Sequence, residues 1–93
     1  MSFLKKLFGG SSEPRAPKVA AEETYKDFHI AATPMPESGQ YRLAANVSKE
    51  IGGEERTHRL IRADLFTSED EAATFAIRKA KQMIDDQGER LFG

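Results

Sequence analysis

Two histidines, His29 and His58, are the first residues to weigh for chemistry in this chain. The residue pattern puts them on different strands, and neither has a third ligand nearby at metal-site spacing. Asp64 follows His58 closely enough to suggest an acid–base pair, but no nucleophile is specified beside them. The chain has no cysteine. It also has no phosphate loop and no nucleophile elbow. A helix start at Ser68 opens with Glu69, Asp70 and Glu71, which repel the anion that a helix dipole attracts. The residues therefore point to no catalytic or metal site and to no cofactor. A non-enzymatic protein is expected.

What remains are residues that make contacts. Arg42, Arg56, His58, Arg59 and Arg62 fall on two neighbouring strands. With Asn46 and Ser48, the set Arg42, His58 and Arg62 is expected to share one outer face. A two-stranded ribbon can enter the major groove of DNA. A helix-turn-helix, however, needs a second recognition helix, and the pattern supplies one long helix only.

The opening stretch MSFLKKLFGG is the other contact candidate. In a helix, Phe3, Leu4, Leu7 and Phe8 fall at i, i+1, i+4 and i+5 and make one apolar side. Lys5 and Lys6 lie on or near the other. Burying four such side chains is worth roughly 6–12 kcal/mol. Ordering eight residues costs roughly 8–16 kcal/mol in backbone entropy. The terms nearly cancel, so a lone copy should anchor weakly to an anionic membrane surface or a partner's groove. Docking on its own domain near Phe75 is a third option.

Charge supports a two-part reading. Lys5, Lys6, Arg15 and Lys18 against Glu13 give residues 1–18 a charge of +3, which leaves −4 for the rest of a chain whose net is −1. A basic arm on an acidic body suits an acidic surface. Residues 1–8 read as the apolar and basic motif and 9–22 as a flexible Gly/Ser/Pro linker, with disorder expected there. Residues 23–93 read as the folded domain.

Four elements are needed to position these residues. Tyr25–Ala32 alternates as a half-buried strand, with Phe28, Ile30 and Ala32 inward. The prolines of 33–39 end it. Gln40–Glu50 and Glu55–Leu65 form a hairpin around Gly52-Gly53. A two-residue loop would pair Ile51 with Glu54 and set Leu43 against Arg62. A three-residue loop pairs Glu50 with Glu54 and gives Leu43–Ile61, and burial favours that register. Ser68 to Glu71 is a capping box. Behind it, Ala73, Ala76, Ile77, Ala80, Ile84 and Gln87 form the apolar stripe, flanked by Met83, and Gly88 is the stop. Two residue choices break local rules. Phe75 lies opposite the stripe, with cover expected from Leu91-Phe92, and Asp85-Asp86 crowd the acid-averse end of the helix. The expected fold is α+β, a three-stranded antiparallel sheet with one long C-terminal helix on one face.

No apolar run is long enough to span a bilayer. Ser2 is not the glycine that N-myristoylation requires. Cytoplasm is the expected compartment, with peripheral contact at the inner membrane as an addition. Oligomeric state is left open.

With these residues laid out, the chain resembles the HlyU family of small bacterial proteins, as distinct from the winged-helix regulators of the same name. The likeness rests on MSFLKKLFGG, the glycine- and proline-bearing linker, QYRLAANVSKEI, EERTHRLIRADLF and RKAKQMIDDQGERLF. The family is named for a transcriptional activator of haemolysin expression. The resemblance implies a regulatory protein acting through protein or nucleic-acid contacts. A protein partner is the first expectation, and DNA the weaker one.

Overall fold

The computed structural model describes residues 18–93. The elements run β1 Ala21–Tyr25, β2 Phe28–Ala32, β3 Met35–Glu37, β4 Gln40–Ile51, β5 Glu54–Phe66 and α1 Glu69–Gln87, closed by a 3-10 turn at Gly88–Phe92. All strand pairs are antiparallel. The order across the sheet is β1-β2-β4-β5. β3 lies in line with β2: β2 pairs with Ala45–Ser48 and β3 with Gln40–Arg42 of the same strand. The class is α+β with one C-terminal helix, as expected. The described residues hold five strands rather than three.

The extra strands come from turns that lack a strong signal. Tyr25–Ala32 is not one strand. Lys26 and Asp27 have φ of 51° and 70°, and they turn the chain between the pair Tyr25 and Phe28. Asp tolerates this left-handed backbone, whereas Lys gives no warning of it. β1 starts at Ala21, inside the stretch read as linker. Ser38-Gly39 makes a second such turn, and β3 contains Pro36, which an edge strand accepts.

The hairpin register also differs from expectation. Ile51 pairs with Glu54, so Gly52-Gly53 is a two-residue turn, with φ of 61° and 81°. Both values are positive, as the twist-matched hairpin turn requires. The clash of Leu43 with Arg62 is relieved by a bulge. Ala44 pairs with Ile61 but Arg42 with Leu65, so Leu43 faces Arg62-Ala63-Asp64.

The helix follows its sequence signals. Ser68 Oγ accepts from the Glu71 amide at 3.0 Å, and Gly88 closes the far end with φ 56° and a bond to the Ile84 carbonyl. Its buried residues are Ala72, Ala73, Ala76, Ala80 and Ile84, while Gln87 is exposed. These small residues let the helix sit close on Phe28, Ile30, Leu43, Ala45, Val47 and Leu60. Alternation puts the neighbouring residues of each strand on the far face of the sheet, which no helix covers among the described residues.

Candidate functional site

That open face carries most of the hairpin's polar groups. Arg42 lies on β4 between Met35 of β3 and Leu65 of β5. Its Nε and Nη2 donate to the two Glu37 carboxylate oxygens at 2.7 and 2.8 Å, and Nη1 donates to the Arg62 carbonyl at 3.2 Å. The bidentate bond raises the Arg42 pKa and holds the Glu37 carboxyl below its ordinary value. Arg59, opposite Asn46, donates from Nη1 to Thr33 Oγ1 at 2.6 Å and to Asn46 Oδ1 at 3.1 Å. Each of these arginines thus has polar partners within the sheet. Arginine stems laid flat in this way cover apolar surface. Ala44, also on this face, is fully buried.

Around the held arginines the face carries large apolar residues. Ile61 is 49% exposed, Leu65 40% and Met35 37%. An open hollow of about 320 Å³ lies beside Met35, lined also by Pro34, Pro36, Thr33, Arg59, Lys18 and Glu69.

The expected cluster of Arg42, His58 and Arg62 does not form on this face. In the observed register His58 pairs with Val47 and Arg56 with Lys49, which puts both on the helix side. Arg62 falls in the bulge and meets Arg42 through its carbonyl. His29 pairs with Ser48 on the open face and meets Glu22 at 2.8 Å, so the two histidines lie on opposite faces. Among the described residues no group of three or more His, Asp or Glu could hold a metal ion. Phe3, Leu4, Lys5, Lys6, Leu7 and Phe8 lie outside the described residues. Among those described, no helix is long and apolar enough to cross a membrane.

Phe75 is accounted for differently than expected. It stacks on Phe66 at the end of β5, with ring centroids 5.1 Å apart, and the Arg78 guanidinium lies 4.8 Å above its ring. The tail covers another residue, since Phe92 stacks on Phe28 at 6.0 Å. A hollow of about 260 Å³ opens beside Phe75, over Leu43 and Phe66, with Asp64, Arg78, Lys79 and Gln82 at its rim.

Asp85 is a structural residue that the strand and helix patterns do not assign. It accepts from the Tyr25 hydroxyl at 3.0 Å and from Lys26 Nζ at 2.7 Å. The Lys26 bond first, and the Tyr25 bond after it, lower the Asp85 pKa. The signal was its conflict with the helix dipole: an acid tolerated there has an outside partner.

A family model described as transcriptional activator HlyU matches residues 2–92. No curated protein and no solved structure matches the chain. The match takes in nearly the whole chain, both sheet faces and the helix included, so the protein belongs to the HlyU family of transcriptional activators and its role is regulatory.

Proposed function

We propose that the protein regulates transcription by binding a protein partner on the open face of the sheet, with Met35 and Leu65 as apolar anchors. One observation carries this reading. The large apolar residues of the face are exposed, while its arginines already have partners: Arg42 with Glu37, and Arg59 with Thr33 and Asn46. Exposed apolar patches of this kind are what a protein interface buries. DNA binding relies instead on cations available to phosphates. The acidic balance of the body also favours a protein partner over nucleic acid.

The test is a Met35→Glu, Leu65→Glu double variant expressed in cells that lack the wild-type chain. It should fold, with an unchanged circular dichroism spectrum, and fail to restore the transcripts that the deletion alters. Full restoration would refute the reading. Duplex DNA binding that falls steeply with salt and weakens in Arg42→Ala and Arg62→Ala variants would put direct nucleic-acid contact in its place.

A further inference from the structure

β5 is an edge strand thirteen residues long, and among the described residues it pairs with β4 alone. Such an edge is a template for another strand. Its first stretch, Glu54 to Ile61, keeps one unbroken register with β4, and the bulge begins only after it. The pair flanking a two-residue turn exchanges backbone hydrogen bonds, and pairs alternate from there. Counting from Ile51 and Glu54, residues Glu55, Thr57, Arg59 and Ile61 turn their N–H and C=O groups away from β4.

We propose that this edge pairs antiparallel with the same edge of a second copy, with the two-fold axis at Thr57. The charge order selects both the occupant and the register. Two-fold pairing centred on Glu54, Glu55, Arg56 or Arg59 sets a like charge against itself, which destabilises a strand pair. Centring on His58 stacks two imidazoles. Centring on Leu60 or Ile61 pairs three residues or fewer of the unbulged stretch. Of the axes that remain, the one at Thr57 alone sets acid against base within the unbulged stretch: Glu55 of each copy faces Arg59 of the other, twice per dimer, on the open face. Glu55 is exposed, and Arg59, which in the single copy reaches back across β4 to Asn46 and Thr33, would swing outward from those partners to meet the carboxylate. The most common soluble oligomers are isologous two-fold dimers of this kind. The dimer would carry one sheet through both copies, with both open faces on the same side.

The test uses sedimentation of the full chain and its variants at millimolar concentration. The wild type should dimerise. Glu55→Arg alone and Arg59→Glu alone should each weaken self-association about tenfold or more, because like charges then face each other twice. An equimolar mixture of the two variants should dimerise again, since each supplies what the other lacks. Because Arg59 also bonds Thr33 and Asn46, folding of its variant is checked by circular dichroism. Thr57→Cys gives a second, independent readout. The chain has no other cysteine, and a hydrogen-bonded pair at the axis brings the Cα atoms to about 5.5 Å, within disulfide reach. Covalent dimer should accumulate under mild oxidation. A monomeric wild type overturns the proposal. So does a dimer indifferent to Glu55→Arg and to Thr57→Cys, or an edge whose amides are protected in a monomer. Because the substitutions differ from Met35→Glu and Leu65→Glu, loss of one activity does not imply loss of the other.

Discussion

Asp85 shows how one exposed carboxylate can tie distant parts of the chain. It sits in the last turn of α1 and reaches Tyr25 and Lys26, at the first turn of the sheet. Its pKa is lowered in the folded state. The stability it adds is fully present above the ordinary carboxylate pKa. It is lost as pH falls through that value toward the lower folded one. Glu37 follows the same sign through Arg42. Thermal melts should show the wild type more stable than Asp85→Asn at neutral pH, with the gap closing in acid. A gap that persists unchanged in acid would remove the carboxylate from the account. Both groups are exposed, so the effect is small beside that of the core.

At the scale of elements, legibility depended on how local the signal is. The helix is readable at its two caps and along its alanine stripe because Ser68, Glu71, the alanines and Gly88 act within one turn of where they stand, whereas Gln87, read into the stripe, is exposed. The main hairpin was visible at Gly52-Gly53, but its register was not. Burial arguments set Leu43 on Ile61, whereas a bulge resolves the same conflict by giving Leu43 three residues to face. No residue type announces a bulge. Lys26 at positive φ hid the first hairpin for a similar reason. The site shared this fate: Arg42 was correctly placed on the open face, while His58 and Arg56 moved to the helix side with the register. Ile61 and Leu65 came into view as the apolar part of that face. The alanine stripe allows a direct check. Ala76 is fully buried between helix and sheet. Ala76→Leu should destabilise by roughly 1–3 kcal/mol through overpacking, read as a lower denaturant midpoint. An unchanged midpoint would mean that the helix stands further off the sheet.

At the scale of the molecule, one face of the sheet is closed by α1 and the other is left open among the described residues. Antiparallel sheets commonly take this arrangement, with polar groups on the wet side. Here the wet side holds Met35, Ile61 and Leu65 beside arginines already bonded within the sheet, so covering it strips fewer free charges of water. Two copies joined along β5 would offer a pair of such patches in one plane, suited to a partner that is itself two-fold. The strand order has a further consequence, for the rate at which the chain reaches this shape. Each strand lies beside one that is close to it in the chain, and the turns between them at Lys26-Asp27, Ser38-Gly39 and Gly52-Gly53 span two residues each. Few long loops have to close before contacts form, and topologies of this kind fold faster than sheets built from distant segments. Stopped-flow refolding should be complete within milliseconds to tens of milliseconds, in a single phase for most molecules. Refolding that takes many seconds would show that some step other than sheet assembly sets the pace.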